Sequence, residues 1–179
     1  MASTLIIDTV TTPDGTGNIS FSRPIVSSGG ISSLVKISST SYATETTTTS
    51  TWTLDDTIPQ NTEGAEMFTL SHTPASTSNN VLICVSGTLG STAAGGHLMV
   101  ALFKDSVANA LYAQASKGDT DYARPFSFVY TENPNTTSAV TYKLRYGSNT
   151  GTTHTNRPSS GNYWGGVPAW HMQIIEYTP

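Results

Sequence analysis

Ala139-Val-Thr-Tyr-Lys-Leu-Arg-Tyr146 sets larger apolar residues against small or polar ones at every second position. That period of two is what a half-buried strand needs, because successive side chains point to opposite faces. Ser50-Thr-Trp-Thr-Leu54 and Glu66-Met-Phe-Thr-Leu-Ser71 repeat the pattern. Further runs are predicted as strands at Leu34–Ser39, Thr47–Leu54, Val81–Thr88, His97–Lys104, Ala110–Ala115, Pro125–Thr131 and Ala169–Tyr177. Gly, Pro, Asn and Ser turns separate them, and no convincing helix intervenes. The reading is all-β: an antiparallel β-sandwich of eight or nine strands, which fits a jelly roll. An immunoglobulin-like sandwich of about seven strands is the alternative.

Within those strands the i, i+2 rule places Leu82, Cys84, Leu98, Val100, Leu102, Phe126, Phe128, Tyr142, Leu144, Met172 and Ile174 toward the core. Cys84 is the single cysteine, so no intrachain disulfide forms. It sits in Val81-Leu-Ile-Cys-Val85, the most apolar run, and is read as a buried structural thiol.

Composition points away from chemistry and toward surfaces. Thr occupies 30 and Ser 23 of 179 positions, while only 11% of residues are charged. An outer face made soluble by neutral hydroxyls suits long-lived extracellular and virion β-proteins. The net charge of −4 and the lack of a basic cluster give no nucleic-acid footprint. Met1-Ala-Ser-Thr4 lacks a basic start and a long apolar stretch, so synthesis in the cytoplasm is expected. No run approaches the ~18–20 apolar residues needed to span a bilayer.

Residues 1–33 differ from the rest. Thr4–Val10 and Asn18–Phe21 flank the turn Thr11-Thr-Pro-Asp-Gly-Thr-Gly17 and read as a hairpin. An isolated hairpin is marginal in water, so this segment is expected to anchor or oligomerise the chain. Ser27-Ser-Gly-Gly-Ile-Ser-Ser33 then reads as a linker, and residues 34–179 as the sandwich domain.

Catalytic signatures are weak. Asp55 and Asp56 are adjacent, so on a strand they would face apart; a turn that Asp caps is the better reading. Asp119 and Asp121, even with Asp105, lack the spacing of a calcium loop. His72, His97, His154 and His171 share no metal-ligand spacing, and no Gly-x-Ser-x-Gly elbow occurs. No cofactor and no metal is expected. Asn18-Ile-Ser20 and Asn135-Thr-Thr137 fit the glycosylation pattern but are expected to be unused. The binding candidates are Arg157, Asn162, Tyr163 and Trp164, within the turn-rich stretch Gly147–Val167. Aromatics stack on sugar rings, and Asn and Arg bond hydroxyls. Such aromatics equally serve packing between subunits.

Leu54-Asp-Asp-Thr-Ile-Pro-Gln-Asn-Thr-Glu-Gly-Ala-Glu66, Val100-Ala-Leu-Phe-Lys-Asp105 and Asn135-Thr-Thr-Ser-Ala-Val-Thr-Tyr-Lys-Leu144 resemble segments of tailed-bacteriophage virion proteins of the tail-fibre or fibre-tip type. The opening Met1–Ser20 resembles their short N-terminal segments. The resemblance implies a non-enzymatic virion structural protein. It also implies a homotrimer with a jelly-roll knob, similar to the complement and tumour-necrosis-factor type. Partners would be other virion proteins through residues 1–33 and a host-surface glycan in attachment. A capsid decoration or head-fibre protein is the alternative role. A glycan-cleaving depolymerase is disfavoured, because paired acids in a cleft are not evident.

Overall fold

Ten strands account for nearly all the regular structure in a computed structural model that describes residues 34–179, Tyr163 excepted. The expected hairpin Thr4–Phe21 and the linker before residue 34 lie outside the described residues. The strands are β1 (Leu34–Tyr42), β2 (Thr47–Thr48), β3 (Ala65–His72), β4 (Asn80–Ser91) and β5 (His97–Lys104). They continue with β6 (Tyr112–Lys117), β7 (Ala123–Glu132), β8 (Val140–Ser148), β9 (Thr153–Thr155) and β10 (Trp170–Tyr177).

All the strand pairs are antiparallel and they form two sheets. The first runs β1-β10-β4-β7, the second β3-β8-β5-β6. Near its end β4 exchanges β10 for β9, which carries β2 as a short flank. Chain order against sheet order decides between the two sandwiches considered. Along the eight long strands the chain changes sheet at every connection but β5–β6, and they interleave as two four-stranded layers, which is the jelly roll.

The core fills the space between the layers. Val81, Ile83, Val85 and Leu89 from β4 meet Leu98, Val100 and Leu102 from β5; Phe126, Phe128, Tyr142, Leu144, Trp170, Met172 and Ile174 complete it. Nine of the eleven expected core positions are therefore buried. Leu82 and Cys84 are the exceptions. The parity of β4 is the reverse of the expected one, so both turn outward and are only partly covered. The run Val81–Val85 is apolar on both sides, and such a run carries no alternation from which to read its facing.

Three other boundaries shift. The expected strand Thr47–Leu54 shrinks to Thr47–Thr48, because Trp52 leaves the sheet edge to plug a socket described below. The expected strand at Ala110–Ala115 begins two residues later, at Tyr112. The expected turn Gly147–Val167 is shorter than its sequence suggests. Strand β8 runs on to Ser148, and β9 pairs with both β2 and β4, so the stretch outside strands divides into residues 149–152 and 156–169.

Hydroxyls do structural work inside. Thr46 Oγ1 lies 3.1 Å from the hydroxyls of Tyr42, Tyr146 and Thr155, joining both layers at one end. The Thr-rich stretch thus forms an ordered plug. Asp55 behaves as the turn cap expected: its Oδ1 accepts from Thr57 N at 2.9 Å and Thr57 Oγ1 at 2.6 Å, and these bonds hold its carboxyl below the usual range.

Candidate functional site

Residues 156–169 leave the sandwich on a fixed foot and return to another. Asn156 is buried with φ +61°, and its Nδ2 donates to Tyr42 O at 3.0 Å and Thr44 O at 3.1 Å. Trp170 is fully buried and donates Nε1–H to Thr88 O at 3.0 Å. Between these feet the chain turns through a single 3-10 turn at Trp164–Gly166. Positive φ at Gly165 and Gly166 permits this turn. Trp164 is 60% and Val167 81% exposed, and Asn162 is exposed beside them.

The candidate residues are therefore only partly brought together. Asn162 and Trp164 share the exposed stretch. Arg157 sits at its foot, half-buried, with Nε 3.6 Å from Glu45 Oε2 and Nη1 donating to Pro158 O at 3.3 Å. Its guanidinium is thus engaged within the chain. Tyr163 is not among the described residues.

One constellation has the residue types of a hydrolase. Ser38 Oγ lies 3.0 Å from His72 Nδ1, and His72 Nε2 lies 3.2 Å from Glu176 Oε2. Its surroundings argue for structure instead. The His72 and Glu176 side chains are wholly buried. Glu176 Oε1 also accepts from Asn79 Nδ2 at 2.6 Å and Ala75 N at 2.7 Å. Burial holds the His72 imidazole below its ordinary pKa, although Glu176 pulls the other way. Burial pushes the Glu176 carboxyl up, but the bonds from Asn79, Ala75 and His72 outweigh it and hold it below the usual range. The result is a neutral imidazole bonded to a carboxylate, tying β3 of one layer to β1 and β10 of the other. Lys104, Glu132 and Tyr142 form a second cross-layer tie: Lys104 Nζ is 3.0 Å from Glu132 Oε1, which also accepts from the Tyr142 hydroxyl. Among the described residues, no three His, Cys, Asp or Glu side chains group to hold a metal ion.

The two outer faces of the sandwich are unlike each other, and the sequence reading missed this. On the β3-β8-β5-β6 layer, Met99, Ala101 and Phe103 of β5 point outward yet are buried, because Trp52 lies over them with its ring stacked on Phe103. The covering segment is pinned by Arg145, which donates Nε–H to Glu63 O at 2.8 Å and Nη2–H to Gly64 O at 2.7 Å. Gly64, with φ +59°, must be glycine here, since a Cβ would come within 2.6 Å of the Trp52 ring. Beside this cover the face carries Glu66, Lys117, Lys143 and Arg145 at outward positions.

The β1-β10-β4-β7 layer reverses that arrangement. Its strands contain four Asp, Glu, Lys or Arg residues: Lys36, Arg124, Glu132 and Glu176. By register all four lie on the core-facing side. The outward positions hold Ile37, Ile175, Leu82 and Thr131 in one cross-strand row, then Ser39, Gln173, Cys84 and Val129 in the next. A third row is Ser41, His171, Ser86 and Ser127. Ile37 is 48% and Val129 56% exposed.

No family model matches the chain, and no curated protein does. Among solved structures it is similar to "Structure of infectious bursal disease virus Gx strain", with 12% identity and a TM-score of 0.36, over 80% of this chain and 37% of that one. It is also similar to "Crystal structure of infectious bursal disease virus VP2 subviral particle", with 10% identity and a TM-score of 0.30, over 79% of this chain and 39% of that one. The chain thus spans under two-fifths of the length of either. Likenesses this distant carry no statement about what the chain does.

Proposed function

We propose that this chain is a non-enzymatic virion structural protein. In this reading it is a homotrimeric tail-fibre or tip protein whose jelly roll presents residues 157–168 to a host-surface glycan. Residues 1–33 join it to other virion proteins. The resemblance of its strand-and-turn segments to phage fibre proteins supports the class. The observation that carries the role is Trp164, 60% exposed next to exposed Asn162 on a segment whose two feet are fixed in the sandwich. A rigid sandwich that holds such a loop is a common platform for binding. An exposed indole stacks on a sugar ring, and a neighbouring amide bonds its hydroxyls. The Ser38–His72–Glu176 chain supports no enzymatic reading, since its histidine and carboxylate are sealed in the interior.

The test is binding of the full chain to purified host-surface glycan, paired with electron microscopy of labelled virions. Label at the tail together with glycan binding that Trp164→Ala abolishes is the expected result. Label on the head, with no glycan binding, would instead favour a capsid decoration or head-fibre protein.

A further inference from the structure

The outward face of the β1-β10-β4-β7 layer is built against the usual logic of a solvent-facing sheet. An antiparallel sheet with one wet side turns its polar residues out and its apolar residues in. Here every Asp, Glu, Lys and Arg of the four strands lies at an inner-side register position. Lys36 and Arg124 reach solvent at strand ends, whereas Glu132 and Glu176 are enclosed, where a charge is costly and requires partners. Glu176 and Glu132 each find partners there, as described. The outer side keeps Ile37, Ile175, Leu82 and Val129 around a half-covered Cys84. Ile37, Ile175 and Leu82 sit directly opposite one another across three strands, so the apolar surface is continuous rather than scattered. Among the described residues, no segment of this chain overlies it as Trp52 overlies the other layer.

We propose that this face is the surface through which copies of the chain associate, and that its occupant is a second copy of the chain. Charge supports an identical partner. Each copy carries a net charge of −4, so contact through a charged face would repel, whereas this face holds no Asp, Glu, Lys or Arg. A face without charges also offers nothing to steer a charged partner. Depletion of charge at the centre is the compositional mark of an interface core. Ser39 and Gln173, in the row of Cys84, and Ser86, in the row beyond, supply neutral donors and acceptors. The inference deepens the homotrimer of the proposed function, because it names the surface on which that assembly rests.

Sedimentation equilibrium of the full chain at tens of micromolar tests it. Wild type is expected at a multiple of 18.9 kDa, three-fold in the trimer reading. Ile37→Lys and Val129→Lys change exposed side chains and place a cation in the contact; both are expected to sediment at 18.9 kDa with unchanged circular dichroism. Lys143→Glu, on the other layer, is expected to leave the assembly intact. Should either lysine variant misfold, Gln173→Lys repeats the test at a position that is exposed and makes no core contact. A monomeric wild type overturns the proposal. So does an assembly that survives all three lysine substitutions. Neither result depends on where labelled protein appears on a virion, so the fibre role and the contact surface can fail separately.

Discussion

Strands β4 and β5 are both apolar on their two sides, and they meet different fates. Outward Met99, Ala101 and Phe103 of β5 are closed over by the chain itself, through Trp52 and the segment pinned to Arg145. Outward Leu82 and Cys84 of β4 remain partly open, flanked by exposed Ile37 and Val129. The lesson is that a two-sided apolar strand needs two covers. The second cover comes either from a loop of the same chain or from another molecule. For β5 it costs a long connection and two close-packed glycines, Gly64 and Gly147, against Trp52. For β4 the proposed cover is a second copy of the chain.

The largest effect should follow from removing the internal cover. Trp52→Ala empties a socket beside Phe103 and should destabilise the fold by about 3–5 kcal/mol, the usual cost of deleting a buried aromatic. Thermal or urea unfolding measures this. A loss under about 1 kcal/mol would mean that the covering segment is ornamental and the contrast false. Leu102→Ala, in the shared core between the layers, should cost about 2–5 kcal/mol. It serves as a reference that touches neither cover.

The tie between layers gives a pH signature of intermediate size. His72 is held neutral in the folded chain, while the unfolded imidazole takes a proton near pH 6.5. Folding stability is therefore full above about pH 6.5 and falls as pH drops below it, because the unfolded state binds the extra proton. Glu176, held ionised, adds a second loss below about pH 4.5. Urea midpoints measured from pH 8 to 4 should decline in that order. His72→Gln should shrink the step near pH 6.5, leaving the part that comes from His154, whose imidazole burial also holds below its ordinary pKa. A profile that is level between pH 8 and 5 in the wild type would contradict the neutral, sealed imidazole.

The smallest effect on stability belongs to the exposed stretch. Trp164→Ala should change the melting temperature by no more than a degree or two, since surface substitutions stay within about ±0.5 kcal/mol. Its consequence should appear only in glycan binding. If the assembly dissociates instead, residues 157–168 are part of a subunit contact and the attachment site lies elsewhere.

The sequence was legible where polarity alternates. Tyr142 and Leu144 faced the core as the alternation in Ala139–Tyr146 requires, and β5 fell at the expected residues. It was illegible where both sides of a strand are apolar, so Leu82 and Cys84 were assigned inward. A usable signal was nonetheless present: Lys36, Arg124, Glu132 and Glu176 sit at the core parity of their strands, which marks the opposite side as unusual. Trp52 misled for a related reason, because an aromatic within a Thr-rich run mimics strand alternation while serving as a plug. At the candidate loop, the exposure of Asn162 and Trp164 suits their residue types. The pairing of Arg157 with Glu45 depends on a contact across 112 positions of sequence, which no local pattern encodes.

Cys84 is a built-in reporter for the central contrast, since it lies in the middle of the uncharged face. Maleimide labelling of native wild type should be slow at micromolar protein, because a second copy covers the thiol. In Ile37→Lys, a row away from Cys84 and dissociated, labelling should be at least tenfold faster. Equal, rapid labelling of the two proteins would contradict the account, for it would show the face open to water in the native state.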